Sequence, residues 1–202
     1  MKLAEHLDCW IPEDDIRRFG EVLLSRCPQS GTYQACHFRD QDTSPEGLEV
    51  LETVPEVREM AKYCIDGNYR PLKTAPTLRD GWLIREECGD RFYAMLDAIY
   101  PAAFATTIRY MGGEIDVVPL RRTLERQSGM NLDARNVTDN EANQIMRETC
   151  AKGCLRVIAW PIDEACQVSR LSRQQGRRIP LICTEACTFV VSEAQKIGHK
   201  KR

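Results

Sequence analysis

Apolar residues recur along this chain with two different periods, and the change of period marks the elements. Ile16, Phe19 and Leu23 fall at helical spacing and predict an amphipathic helix over 12–26. Pro12 suits its first turn, Glu13, Asp14 and Asp15 suit its positive end, and Cys27-Pro28 stops it. A short strand is predicted over 32–38, then a polar, turn-rich segment over 39–47, then a second strand over 48–54. Pro55 opens a short helix carrying Val57, Met60, Ala61 and Cys64, and Asp66-Gly67-Asn68 turns the chain. The following stretch to Trp82 holds two prolines and reads as an irregular loop.

Helical period dominates from there on. Phe92, Met95, Leu96 and Ile99 share a face within 90–110, and Pro101 divides that stretch into two helices meeting at a corner, the second ending at Gly112-Gly113. A helix from Pro119 to Gly129 turns Leu120 and Leu124 inward and Arg121, Arg122, Glu125 and Arg126 outward. Thr138 and Glu141 form a capping box for a helix to about 149, with Ala142, Ile145 and Met146 inside and Gly153 placed to end it. A strand over 155–160, a polar stretch over 162–178 and a last helix over 184–197 complete the reading. The fold class is α+β, mostly helical with a few short strands, divided into an N-terminal α/β region over 1–65 and a helical domain over 66–202.

Composition narrows the function classes. With 43% hydrophobic and 29% charged residues, 202 residues make an ordinary globular chain, and a net charge of -2 argues against a nucleic-acid or anionic-membrane surface. Only the tail after Lys196 is basic, and it is expected to be a frayed, solvated end. No apolar run fits a signal peptide or a membrane span, so a cytoplasmic location is expected. That expectation bears on the ten cysteines, since paired cysteines in a reducing compartment serve metals or redox chemistry more often than structural disulfides.

Four of these cysteines form a frame. Cys150 and Cys154 repeat the spacing of Cys183 and Cys187, and a pair from each of two segments supplies four thiolates for one centre. The start of the last helix would present N–H groups and a positive dipole end to Cys183 and Cys187, favouring thiolates, and Lys152 adds positive charge nearby. Spacing alone leaves three readings: a 4Fe-4S cluster, zinc, or a metal-free pair of thiols. Cys166, between the two pairs, could replace a ligand; Cys9, Cys27, Cys36, Cys64 and Cys88 read as small buried hydrophobes.

The run from Asn68 to Trp82, then Tyr100-Pro-Ala-Ala, then Pro119-Leu-Arg-Arg-Thr-Leu-Glu-Arg-Gln, and the two cysteine pairs together resemble a 4Fe-4S cluster-binding domain of bacterial proteins, in which it accompanies a sirohydrochlorin cobaltochelatase-like domain. The likeness covers about 65–195 and implies that Cys150, Cys154, Cys183 and Cys187 are the cluster ligands. It further implies an electron-transfer or accessory role linked to tetrapyrrole or cobalt chelatase metabolism, and a protein partner that is chelatase-like or a redox enzyme. Such a chelatase holds metal through histidines and a carboxylate; this chain has only His6, His37 and His199, scattered, so the partner is expected on a separate chain.

Two other functions are open at this level. A zinc-stabilised interaction module would use the same cysteines without redox activity. Alternatively, Arg70, Lys73 and Arg79, with Tyr69 and Trp82, could line a site for an anionic ligand such as a tetrapyrrole carboxylate. Cys36 beside His37 is no nucleophile and base, because neighbours in a strand point to opposite faces. Phosphate-loop, nucleophile-elbow and paired-carboxylate patterns are absent, which favours an accessory protein over a stand-alone enzyme.

Overall fold

Gly20 decides how the fold begins. Its φ of +61° is a left-handed conformation that suits glycine, and the chain reverses there in a two-residue turn between strand β1 (Arg17–Phe19) and strand β2 (Val22–Arg26). The helix expected over 12–26 is therefore a hairpin. Ile16, Phe19 and Leu23 satisfied helical spacing, but Val22, Leu23 and Leu24 are all buried, the mark of a strand covered on both faces. A side chain at Gly20 would press on the Tyr100 ring, whose hydroxyl oxygen accepts the Glu21 N–H at 3.0 Å.

The computed structural model describes residues 11, 16–27, 29–70, 77–111, 114, 118–127, 132–150, 178–179 and 186–201. The chain divides into two compact units, Met1–Ala105 with Arg177–Ile179, and Thr106–Gly176 with Pro180–Arg202. The division expected at residue 65 falls inside the first unit.

The first unit is built on a six-stranded sheet. Strands β3 (Tyr33–His37), β4 (Glu49–Leu51), β5 (Trp82–Glu86) and β6 (Arg178–Ile179) join the hairpin in the order β4-β5-β3-β2-β1-β6. The inner ladders are antiparallel, while β4 lies parallel to β5 and β6 parallel to β1. A sheet this size is more than a few short strands, although the α+β class holds. Strand β5 was read as loop because of the prolines before it, yet Trp82, Leu83 and Ile84 form a buried β-run at the centre.

Helix α1 (Val54–Met60) crosses from β4 toward β5, opened by a capping box between Thr53 and Glu56. Helix α2 (Gly89–Ile99) buries Phe92, Met95, Leu96 and Ile99 as the spacing predicted. Ala102, at φ +61°, makes the corner after Pro101, and helix α3 (Ala103–Met111) follows. Phe19 meets Tyr100 and Phe104 edge-on at 5.7 and 4.9 Å, and Tyr33 stacks on Phe92 at 5.2 Å. Each such buried ring contributes about 1.5–3 kcal/mol by burial alone.

The described part of the second unit is helical: α4 (Leu120–Gln127), a 3-10 turn (Leu132–Asn136), α5 (Asp139–Ile145) running into a π turn (Met146–Cys150), and α6 (Thr188–His199). Leu120, Leu124, Ala134, Val137, Ala142, Ile145, Met146, Ala186, Val190 and Ala194 form its core. The predicted capping box is present, with Thr138 accepting from the Glu141 N–H and the Glu141 carboxylate accepting from the Thr138 N–H. The last helix starts at Thr188, four residues later than expected. Its end is not frayed: Lys201 donates to the Asn136 carbonyl at 3.0 Å and to Glu141 at 2.6 Å, and Gly198 lies so close to the 3-10 turn that a Cβ would collide with the Asp133 carbonyl oxygen. The strand expected over 155–160, the polar stretch over 162–178 except 178, and Gly129 and Gly153 lie outside the described residues.

Candidate metal centre

Cys187 is the ligand candidate with described surroundings. Ala186 before it and Val190 and Ala194 after it are buried in the core of the second unit, which fixes where helix α6 begins. Cys187 itself is the N-cap, with extended backbone (φ -72°, ψ 166°), a half-buried free thiol and no capping hydrogen bond from its side chain. A serine, threonine or aspartate at this position would satisfy a first-turn N–H; the sulfur leaves that task undone. The N–H groups of the first turn and the positive dipole end therefore converge beside a thiol. Phe189, two residues on, is exposed.

Cys150 ends the π turn that continues helix α5. Met146, the first residue of that turn, is wholly buried, and the turn packs against helix α6. An inserted π turn is an uncommon interruption of a helix and recurs at functional sites. The fold thus brings the segment ending in Cys150 against the helix that Cys187 opens. The Cys150 side chain, Cys154, Cys183 and Cys166 lie outside the described residues, as does Lys152. Among the described residues no three metal-ligating side chains gather. A half-buried thiol at a helix start whose N–H groups it does not cap is a fitting donor for a thiolate-bound cluster, because those N–H groups can bond cluster sulfur.

The other cysteines differ from one another. Burial, with the nearby Asp40 adding to it, pushes the Cys36 thiol up to about 11. Cys27 donates to Gln29 at 3.1 Å, and hydrogen bonding with Ser30 holds its pKa below the ordinary thiol value. Cys64 lies 3.2 Å from the Thr77 hydroxyl. Cys88 is exposed, not a buried hydrophobe, and Cys9 is outside the described residues.

The cationic loop is placed as follows. Arg70 is buried, its Nη1 donating to the Ala61 carbonyl at 3.0 Å and its N–H to the Lys62 carbonyl at 2.6 Å. Arg79 pairs with Glu49 on strand β4, and its carbonyl accepts the Trp82 indole N–H at 2.7 Å. Trp82 is a core residue, Tyr69 is exposed, and Lys73 lies outside the described residues.

A buried polar group escaped sequence reading. Glu21 accepts the Thr77 and Leu78 N–H groups, each at 3.1 Å, and its other oxygen is 3.8 Å from Nε2 of the wholly buried His37. His37 Nδ1 accepts the Arg39 N–H at 3.3 Å, so the neutral ring carries its proton on Nε2, toward Glu21. Asp40 accepts the Gly81 N–H at 2.7 Å. These groups fasten the two ends of the loop segment to the sheet. Their partners are more than 40 residues away and follow no spacing pattern, so only the glycine before Glu21 hinted at a turn there.

Residues 6–111 match the family model of the DR2241 stabilising domain, and residues 112–196 that of a 4Fe-4S iron-sulfur cluster binding domain. Among solved structures, the chain is similar to DR2241 from Deinococcus radiodurans, described as a multi-domain protein with structural similarity to chelatases and two additional novel domains. The likeness covers 98% of this chain at 22% identity with a TM-score of 0.70, and it concerns the fold. It covers 41% of that protein, so the chain spans about two-fifths of its length. No curated protein matches.

Proposed function

The chain belongs to the DR2241 stabilising domain family and carries a 4Fe-4S cluster-binding domain after it, and from this premise we propose that Cys150, Cys154, Cys183 and Cys187 hold the cluster and that the protein serves a chelatase-like or redox partner as an electron-transfer or accessory component. The observation that carries the ligand set is the uncapped thiol of Cys187 at the start of a helix packed against the turn ending in Cys150. When bound, the cluster supplies a one-electron couple. The protein's share is to hold thiolates at a helix start and to donate N–H groups that favour their charge. A reducing cytoplasm suits four free thiolates, and the similarity of the longer DR2241 protein to chelatases supports a role in tetrapyrrole or cobalt metabolism. The second unit's described surface gives no reason to invoke nucleic acid, and no helix among the described residues is long and apolar enough to cross a membrane.

Anaerobic purification followed by the visible spectrum and iron, sulfide and zinc analysis tests the reading. A brown protein with iron and sulfide in equal amounts is expected, bleached reversibly by dithionite and lost in Cys187→Ala and Cys183→Ala. A colourless zinc protein would overturn it, and a cluster that survives both substitutions would overturn the ligand set.

A further inference from the structure

Strand β6 is the part of the molecule least able to account for itself. It consists of two residues, lies at the edge of the first unit's sheet and pairs in parallel with β1. Two residues of parallel ladder gain few hydrogen bonds against the entropy of ordering the chain that leads to and from them. Its register adds a penalty, because Arg178 stands opposite Arg18 across the ladder, and like charges opposed across strands destabilise the pair.

Its place in the chain is equally unusual. After Ala105 every residue belongs to the second unit except Arg177–Ile179. The chain leaves the second unit, lays one short strand on the first unit's sheet and returns. That excursion falls inside the roughly thirty residues between Cys154 and Cys183, and Ile179 is followed four residues later by Cys183. A centre holding both cysteine pairs would tie the two ends of this stretch together. The cost of placing an internal segment then falls, because part of the loop closure is already met.

We propose that β6 is a cluster-dependent strand: ligation of the cluster by the flanking cysteine pairs seats Arg178–Ile179 on β1, and loss of the cluster releases it and opens the β1 edge of the sheet. The inference rests on the ligand set proposed above. Coupling of this kind is reciprocal, so pairing of β6 also retards loss of the cluster. The state of the cluster in one unit is thereby written into the edge of the sheet in the other, through the covalent chain. An open β1 would offer unpaired N–H and C=O groups to another strand, which makes the cluster-free form the one that associates through this edge.

Amide hydrogen exchange on the full chain tests this, after iron and sulfide analysis has shown the protein loaded. In the loaded protein, amides in 17–19 and 178–179 are expected to exchange at least about tenfold more slowly than after chelator removal of iron, with β3 and β5 unchanged. Equal exchange of β1 in both states would overturn the proposal while leaving the cluster intact. Ile179→Pro, which removes a ladder donor, is expected to speed bleaching of the visible band by a chelator about fivefold, and Arg178→Glu, which faces Arg18 with an opposite charge, to slow it. Identical bleaching rates in both variants and the wild type would also overturn it. A wild-type protein that binds no iron would remove the premise, and that result is read from the metal analysis alone.

Discussion

The two units solve the problem of stability with different materials. Trp82, Phe19, Phe92, Phe104, Tyr100 and Tyr33 fill the first unit, and its buried carboxylates are spent on backbone N–H groups. In the second unit four of the ten residues in the described core are alanine and none is aromatic. Alanine buries little area, so a core of this kind yields far less than the rings next door. The difference teaches that the first unit is made to stand by its own packing, whereas the second is made to close around something else. A ligated cluster stabilises by constraint where apolar volume is lacking.

Removing the cluster should break the comparison most severely. Chelation of iron, or Cys187→Ala, is expected to abolish the melting transition of the second unit and leave that of the first in place, which calorimetry or circular dichroism of the full chain would show. A single unchanged transition would mean that the small core suffices alone. Next in size is Gly198→Ala, which drives a methyl into the Asp133 carbonyl and separates helix α6 from the 3-10 turn. It should lower the stability of the second unit by about 3 kcal/mol in denaturant titration, with the first unit unaffected.

On the other side, Glu21→Ala strips the partner from the Thr77 and Leu78 N–H groups. A loss of about 2 kcal/mol confined to the first unit is expected from those unpaired donors, and a loss in the second unit instead would contradict the division. The smallest effect is one of pH. Glu141 is held at about 2, first by its hydrogen bond with Lys201 and then by those with Thr138. Its carboxyl is depressed in the folded state, so the stabilisation is whole above the ordinary carboxylate range and is lost as pH falls from about 4.5 toward 2. The group is nearly all exposed and screened, so the loss stays below about 1 kcal/mol. A fall in the melting temperature of the second unit between pH 5 and 3, absent in Glu141→Gln, would show it.

What the sequence disclosed follows the range of the interactions. The capping box at Thr138, the corner at Pro101 and the inner face of α2 depend on neighbours within a turn or two, and they were legible. The hairpin at Gly20 was not, because three apolar residues fit both periods and the deciding contact is with Tyr100, 79 positions later. Strand β5 failed for a related cause: the prolines before it signalled a loop, and its strand character comes from β3 and β4 on either side. The tail was read as frayed since nothing in its own residues names Asn136 or Glu141 as partners. Of the candidate centre, spacing supplied the four cysteines, and the fold adds that the turn ending in Cys150 meets the helix opened by Cys187. Arg70 looked like a surface cation because charge implies exposure, yet its long stem and forked head let it cross the interior to the Ala61 carbonyl.

The thiol that opens helix α6 also sets a clock. A helix begun without a capping side chain forgoes about 1 kcal/mol at its first turn, so in a chain that has been oxidised and stripped of iron, residues 188–190 are where unwinding starts. Proteases act on such ends. The lifetime of the protein in an aerated cell is then governed less by its well-packed sheet than by how long the metal stays in place.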